Sequence, residues 1–365
     1  MSYGSIMSQS SIPTPFEKAV IRITGPSHGA IVTVTGGGIS LTATEVSSGV
    51  WEVSVDKGTW TVKSSGYDDG SVKAETNKLY EVVLIIQADT VLDNNSWETI
   101  SLVSASGKAA DYWKVGDKKL IELNGYLGNA DQSGKIYVYI LGINHNSEQE
   151  TNNRIHFTLG KHWGSYTNYS SCFVCGDVYG SHKGSAGTTW KDYCMNPYTG
   201  GNPVSTNIGG WGSCVMRQDL FRSQYSPTNV VEFTLPSILP EDLRKVLKTC
   251  DKYSNVIGNS TSSTAITNLP EYFVIPAEFE VMGSLSPGAN QYEQNYQKQY
   301  DYYKAGNSAL RTRFRDGSRN GAYFLRTPIA TSNWGFYLMV SSTLSPDYYE
   351  GNAGYSYGVA PIFFV

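Results

Sequence analysis

The sequence predicts an all-β N-terminal sandwich followed by a larger α+β domain with few helices. From residue 17 to 90, short runs of alternating apolar and polar residues recur roughly every eight to twelve residues, separated by Gly, Asp and Ser, as in β-sandwiches. From 91 onward, strand-like runs are interrupted by few segments with helical periodicity. The chain ends on Ile362, Phe363, Phe364 and Val365, which are costly to expose to water and therefore predict a buried final strand.

The alternating runs of the first domain predict its strands in order. They are 19–23, 30–34, 50–55, 59–62 and 80–86. The polar stretch 87–95 then predicts a domain boundary, which divides the chain into a sandwich at 17–90 and a second domain at 91–365. The Ser-rich segment 1–16 is interpreted as a flexible leader or attachment arm.

The second domain combines strand-like runs with two helical patterns. The strand-like runs are 119–124, 135–142, 154–159, 322–325 and 335–340. Segment 240–250 opens with Pro and acidic residues, closes with lysines and repeats apolar residues at helical spacing, so it predicts a helix. Segment 291–305 carries four tyrosines on one side and Gly306 as a stop, which predicts a second helix with a packed tyrosine face. A short third helix is expected at 214–221.

Composition and charge argue against nucleic acid and membrane partners. The 365 residues carry a net charge of −4 without a basic run, whereas a phosphate-binding surface needs clustered Lys and Arg. The longest apolar run, 82–86, is far too short to cross a bilayer. Tyr (26) and Gly (37) are abundant and charged residues make up only 16%, a balance typical of recognition surfaces.

The N-terminal segment lacks the basic and apolar regions of a signal peptide. We therefore expect a protein that is made in the cytoplasm without Sec export and is released by lysis. Five cysteines, an odd number without an export signal, do not predict a disulfide framework.

The first domain resembles a known class of small sandwich module. The stretch Gly49-Val-Trp51, then Gly58-Thr-Trp-Thr-Val62, then Gly66-Tyr67 is similar to carboxypeptidase-regulatory-like and surface-anchoring modules. This resemblance covers roughly fifty residues and implies a spacer or stalk. No catalytic pair lies in this segment.

The second domain contains four motifs in a fixed order: Trp113-x-Val-Gly-Asp-Lys118, Gly209-Gly-Trp-Gly-Ser-Cys-Val-Met-Arg217, Tyr323-Phe-Leu-Arg-Thr-Pro328 and Tyr357-Gly-Val-Ala-Pro361. These motifs resemble those of an uncharacterised family of Gram-positive bacteria and their phages, which is similar to C-type-lectin-like domains. They imply a scaffold that displays a variable surface near its C-terminus, as in phage tail fibres. The family usually has Arg where this chain has Ala360, and 166–193 is interpreted as an insertion. The matching side chains are interpreted as fold-forming: Trp211, Arg217, Arg326 and Pro328.

The polar, aromatic stretch 341–357 is interpreted as a displayed loop and, with the preceding residues, as the ligand surface. Aromatic rings there could stack on sugars or pack against a protein receptor, and the oxygens of Asp347, Glu350 and Asn352 could bind calcium. No lectin-type calcium motif is present. The candidate ligand-binding residues are Asn333, Trp334, Asp347, Tyr348, Tyr349, Glu350, Asn352, Tyr355 and Tyr357.

A second candidate site is a cysteine cluster in the insertion. Cys172 and Cys175 have the spacing that begins many tetrahedral zinc sites, and His182 and Cys194 follow. The second half of a standard zinc pattern is missing, so reduced cysteines in a loop or core are an alternative interpretation.

Catalysis has little support in the sequence. It contains no G-x-S-x-G, H-E-x-x-H or P-loop motif. Glu278 and Glu280 could lie on one face of a strand as a glycosidase pair does, but they flank Phe279 in an apolar run.

These observations lead to the expectation of a non-enzymatic phage virion protein. Such a tail-fibre, baseplate or head-decorating protein would display its lectin-like domain to a bacterial surface glycan or protein. It would contact other virion proteins, form a homo-oligomer and require no cofactor. A decoration or cement protein without a receptor is the first alternative, and a cell-associated hydrolase or zinc protein is the second.

Overall fold

The computed structural model describes residues 18–26, 28–128, 130–162, 170–171, 173–174, 195, 198–199, 202–203, 206–304, 311, 313–314, 322–340, 347–352 and 358–365. The chain forms two compact units, 1–88 and 89–365. Both are rich in β-strands, as predicted.

The first unit contains two four-stranded sheets, with strand orders β4-β5-β1-β8 and β3-β2-β6-β7. Its strands are β1 Ala19–Thr24, β2 Val32–Gly36, β3 Ile39–Thr42, β4 Thr44–Ser47, β5 Val50–Val55, β6 Gly58–Ser64, β7 Gly70–Ala74 and β8 Leu79–Val83. Alternate residues are buried, so Ile21 and Ile23 of β1 join Trp51 and Trp60 in the core. The sequence did not predict β3, β4 and β7, because these strands are short, largely exposed and contain only one or two large apolar residues each.

The second unit contains two five-stranded sheets and several two-stranded ones. The large sheets have the orders β20-β26-β13-β12-β9 and β15-β25-β22-β23-β24. The strands are β9 Lys118–Leu123, β10 Tyr126–Leu127, β11 Ala130–Asp131, β12 Gly134–Ile143, β13 Ile155–His162, β14 Ser170–Ser171, β15 Phe173–Val174, β16 Tyr198–Thr199, β17 Asn202–Pro203, β18 Cys250–Asn255, β19 Ile266–Glu271, β20 Phe273–Val274, β21 Arg313–Phe314, β22 Tyr323–Pro328, β23 Gly335–Val340, β24 Asp347–Asn352, β25 Gly358–Val359 and β26 Ile362–Phe364.

The helices of this unit are short. The α-helices are α1 Trp97–Ala105, α2 Ala109–Tyr112, α3 Gly210–Ser213, α4 Leu235–Ile238, α5 Glu241–Val246, α6 Glu278–Met282 and α7 Asp301–Lys304. A π-helix spans Met216–Leu220, and 3-10 helices span Leu92–Asn94, Ser263–Ala265 and Gln291–Asn295. None of the helices in the described ranges is long and apolar enough to cross a membrane.

The predicted final strand is confirmed. Strand β26 lies between β13 and β20, and its residues are fully buried. The Ser104 hydroxyl on α1 donates a 2.6 Å hydrogen bond to the Val365 carbonyl. The end of the chain is therefore part of the core of this unit.

Both predicted helices are shorter than their patterns suggested. Helix α5 ends at Val246 because Cys250 already pairs with Glu271 in the β18–β19 ladder. Segment 291–305 forms a 3-10 turn and α7 instead of one helix, since its tyrosines face different partners. Tyr296 stacks on Tyr253 with ring centroids 4.7 Å apart, whereas Tyr300 stacks on His145 at 3.9 Å.

Two further predictions are corrected. Part of the predicted loop 341–357 is strand β24, whose backbone pairs with β23 along its whole length. Glu278 and Glu280 lie on helix α6 and not on a strand, and both are fully buried. The two carboxyl groups of a glycosidase flank the scissile bond of the substrate, so two fully buried carboxyls do not fit the predicted glycosidase pair.

Candidate functional site

The interior of the second unit holds a network of buried charges. The Lys252 ammonium on β18 lies 2.7 Å from a Glu150 oxygen and 2.6 Å from a Glu280 oxygen. Arg326 on β22 binds both oxygens of Glu280, at 2.5 and 2.6 Å. All four side chains are at most 1% exposed. Burial raises the pKa of Glu150 to about 7 against the opposing effect of Lys252, so above that pH two acids and two bases neutralise one another in the interior.

Electrostatics fix the ionisation of Glu280. Burial alone would raise the pKa of this carboxyl, but the charges of Arg326 and Lys252 hold it well below its usual range. Glu280 therefore stays ionised and holds helix α6 against β18 and β22. The Glu280 side chain also accepts a 2.9 Å bond from the Ala277 backbone N–H at the start of the helix.

Glu150, His156 and Cys250 lie beside this network, with ligand-type atoms within 4.8 Å of one another. Such a trio suits a soft divalent cation in principle. However, the Lys252 ammonium already satisfies Glu150, and burial raises the pKa of the Cys250 thiol to about 12. Burial also lowers the pKa of His156 well below its usual range, and its Nδ1 lies 2.9 Å from the Tyr300 hydroxyl. We therefore interpret the trio as part of the buried network.

A second buried ion pair involves residues interpreted as fold-forming. Arg217 Nε lies 2.5 Å from Glu271, and the Trp211 indole N–H donates to the same oxygen at 3.3 Å. Arg326 is paired to Glu280, and the burial of these three side chains agrees with the prediction that they form part of the fold. Their carboxylate partners could not be identified from local patterns.

Two other buried carboxyls have only neutral hydrogen-bond partners. Glu278 accepts from the Ser286 N–H and hydroxyl, and Glu293 accepts from Thr327 and Gln297. Burial raises the pKa of Glu278 and the pKa of Glu293 to about 7 each. These carboxyls are therefore protonated in mildly acidic solution.

This burial predicts that stability falls as the pH rises. A carboxyl with an ordinary pKa of 4.5 when unfolded and about 7 when folded holds more protons in the folded protein between those values. The free energy of unfolding should therefore decrease from about pH 4.5 to 7 and level off above, by about 1–3 kcal/mol per group. Urea denaturation across this range measures the slope. Glu278→Gln/Glu293→Gln should reduce it to the part that Glu150 and Glu271 contribute, because burial raises the pKa of each of these two carboxyls to about 7 as well. An unchanged slope in this variant would contradict the assignment.

The exposed candidate surface is centred on the turn between β22 and β23. Trp334 on this turn is 36% exposed, while Asn207 beneath it is fully buried. The Asn207 amide nitrogen lies 2.9, 2.9 and 2.8 Å from the carbonyls of Ile329, Ser332 and Gly335. A single interior side chain thus fixes the turn backbone.

Two backbone hydrogen bonds connect this turn to the loop of Asn207, and that loop to the segment around Ile257. The Asn207 N–H donates to the Asn333 carbonyl at 2.9 Å, and Gly209 N–H donates to Ile257 O at 2.9 Å. Ile208 and Ile257 lie on these two connected segments and are 51% and 44% exposed. We call residues Ile208, Ile257, Asn333 and Trp334 the Trp334 surface.

The structure brings together some of the predicted ligand-binding residues. Asn333 and Trp334 are adjacent on the turn, and Asn352 pairs through its backbone with Gly335 at the end of β24. The side chains of Asp347, Tyr348, Tyr349, Glu350 and Asn352 are outside the described part of the chain, as are Tyr355 and Tyr357. The predicted zinc ligands Cys172, Cys175, His182 and Cys194 also lie outside it.

Comparisons with known proteins identify no family. Neither a scan against protein-family profiles nor a search of curated proteins finds a match. Part of the chain is similar to a DUF3823-family protein of Bacteroides ovatus, at 8% identity and TM-score 0.16, over 42% of this chain and 61% of that one. It is also similar to the TIE protein of Bacillus anthracis, at 12% identity and TM-score 0.18, over 42% of this chain and 30% of that one. The chain thus spans less than two thirds of either, and TM-scores this low support no conclusion about fold or function.

The chemistry available to the second unit follows from this arrangement. In the part of the chain described, the buried acids and bases with strongly perturbed pKa values have partners inside the protein, either an opposite charge, as for Glu280, or neutral hydrogen-bond donors, as for Glu278 and Glu293. The exposed Trp334 stands on a turn with a fixed backbone, which suits binding by an aromatic side chain with little loss of entropy. Sequence reasoning identified Asn333 and Trp334 but missed Asn207, Ile208 and Ile257, since only long-range contacts bring these loops together.

Proposed function

We propose that this chain is a non-enzymatic binding protein, a phage virion component that presents its second unit to the surface of a Gram-positive host. The observation that carries the proposal is the exposed Trp334 on a turn fixed by buried Asn207. The resemblance of the motifs in 96–365 to phage-associated, lectin-like domains supplies the biological setting. In this proposal the first unit acts as a spacer, and the Trp334 surface contacts a surface glycan or protein.

A rigid scaffold with an exposed aromatic residue is typical of recognition surfaces. Large aromatic side chains supply much of the binding energy at protein interfaces and stack on ligand rings. Ile208 and Ile257, which are exposed on backbone segments linked to this turn, would add apolar area to the contact. If the residues of this surface vary among related proteins, the fixed backbone would let their side chains change without loss of the fold.

The proposal predicts strain-selective binding that depends on Trp334. Labelled full-length protein should bind some strains in a panel of Gram-positive cells. Trp334→Ala should weaken that binding by about tenfold or more in protein that is still folded, as its unfolding transition checks, because the indole lies on a surface turn and is 36% exposed. Tyr126→Ala is the matched control, since Tyr126 is also a partly exposed aromatic (47%) but lies on strand β10.

Two results would contradict the proposal. Folded full-length protein that binds no strain but binds purified phage particles would favour the decoration-protein alternative. Binding that is equally strong in Trp334→Ala and the wild type would place the receptor contact elsewhere.

A further inference from the structure

The second unit also contains a cleft of about 540 Å³ at the edge of its first five-stranded sheet. Strand β12, the turn that precedes the edge strand β9, and segment 90–93 form its walls. This volume lies within the range of small-ligand sites. The cleft uses none of the residues of the Trp334 surface, so a role for one does not depend on the other.

Two tyrosines line the cleft. Tyr137 and Tyr139 lie two apart on β12 and therefore on the same face of the sheet. Their ring centroids are 6.2 Å apart with planes inclined by 59°. A Cβ at Gly160 on β13 would lie 2.2 Å from the Tyr139 ring, so glycine there lets this ring lie flat against the neighbouring strand. The rings are thus positioned by the sheet before any ligand arrives.

A lysine ammonium lies over the ring of Tyr137. The Lys118 ammonium lies 4.2 Å from the centroid of the Tyr137 ring. Lys118 is itself an exposed side chain at the start of β9, so it can move away at little cost. The Tyr137 face is therefore a contact surface that a ligand can take over from Lys118.

The charges around the rings are nearly balanced. Asp93, Asp117 and Lys118 line the cleft, and the Lys119 ammonium lies 4.0 Å from Asp93. The backbone N–H groups of Leu120 and Lys114 donate to Asp93 and Asp117 at 2.8 and 2.9 Å and orient the two carboxylates. An anion would meet two carboxylates, and a purely apolar ligand would remove water from three charges. An uncharged ligand with many hydroxyls and one apolar face avoids both penalties.

We propose that this cleft binds an uncharged saccharide. The apolar C–H face of a sugar ring would stack on Tyr137 and Tyr139. Its hydroxyls would donate to the carboxylates of Asp93 and Asp117.

The test uses full-length protein and uncharged tetrasaccharides: N-acetylchitotetraose, cellotetraose, maltotetraose and mannotetraose. Ligand-observed NMR and calorimetry should detect binding of at least one. Tyr137→Ser should weaken it by about tenfold, as loss of one well-placed aromatic contact does. Val91→Arg, at an exposed residue of the lining, should weaken it similarly by filling the cleft, without any change in the unfolding midpoint.

Tyr225→Ser is the matched control. Tyr225 is also partly exposed and carries a cation over its ring, Arg222 at 4.5 Å, but it does not line the cleft. This variant and Trp334→Ala should both bind within about twofold of the wild type. The proposal is overturned if folded protein binds none of the four sugars at millimolar concentration, or if Val91→Arg binds as well as the wild type.

Lys118→Ala tests the stacking geometry separately. If the sugar displaces the ammonium from the Tyr137 face, removal of the lysine should leave the dissociation constant equal or lower. A higher dissociation constant in Lys118→Ala would show that the ammonium is itself a ligand contact and would overturn stacking on Tyr137.

Discussion

Lys252→Met should destabilise the protein by about 3–5 kcal/mol, the cost of removing one partner from a buried ion pair. The ammonium lies 2.7 Å from Glu150 and 2.6 Å from Glu280, and all three side chains are at most 1% exposed. Methionine fills a similar volume but leaves Glu150 without an opposite charge in contact. Glu280 keeps its ion pair with Arg326, so the loss of stability comes mainly from the buried carboxylate of Glu150. Denaturant unfolding of full-length protein at about pH 8, where Glu150 is ionised, measures the loss.

Two further variants separate the charge effect from a packing effect. Lys252→Met/Glu150→Gln removes both charges of the pair and should recover part of the lost stability, since no buried charge then lacks a partner. Lys245→Met is the matched control, because Lys245 pairs with Glu241 on the exposed side of α5 with both side chains more than 60% exposed. It should cost less than about 1 kcal/mol. Equal losses in the two single variants would contradict the buried network.

The strands with clear alternation could be predicted from the sequence. Runs such as 19–23 and 50–55 alternate because one face of each strand is buried, and this pattern is local. The final strand was predictable for a similar reason, as four apolar residues in succession require burial. Strand β24 was missed because its largely polar sequence is held by pairing with β23, whereas β3 was missed because it is short and largely exposed.

The buried network could not be predicted, because its members are far apart in the chain. Glu150 and Lys252 are separated by 102 residues, and Glu280 and Arg326 by 46. Lysine at an inward position of β18 contradicts the usual preference of this residue for the surface. Only the fold supplies the two carboxylates that make this position stable. The Trp334 surface was predicted in part, since the aromatic residue was visible in the sequence and its support from Asn207 was not.

Asn207→Ala should loosen the turn that carries Trp334 and destabilise the protein by about 2–4 kcal/mol. The two N–H groups of this buried amide are shared among three carbonyls, of Ile329, Ser332 and Gly335. Alanine leaves the Ser332 carbonyl without this donor, at about 1–3 kcal/mol for an unsatisfied group. The Ile329 and Gly335 carbonyls keep the N–H groups of Ser332 and Ile329, at 3.3 and 3.0 Å, and each loses one interior hydrogen bond worth about 1 kcal/mol. The turn would then open to reach water, and the backbone amides around Trp334 would exchange faster.

Hydrogen exchange followed by mass spectrometry on the peptide covering 329–335 tests this prediction, with about tenfold faster exchange expected in Asn207→Ala. Asn290→Ala is the matched control, because Asn290 is also fully buried and donates to two carbonyls, those of Ser260 and Ser262. It should cost a similar free energy but leave exchange at 329–335 unchanged. If Asn207→Ala lost the protection of this turn but still bound cells as strongly as the wild type, the rigid presentation of Trp334 would not be the basis of recognition. A variant that keeps Trp334 but loses both protection and binding would establish that the fixed backbone, and not the indole alone, makes this surface a binding site.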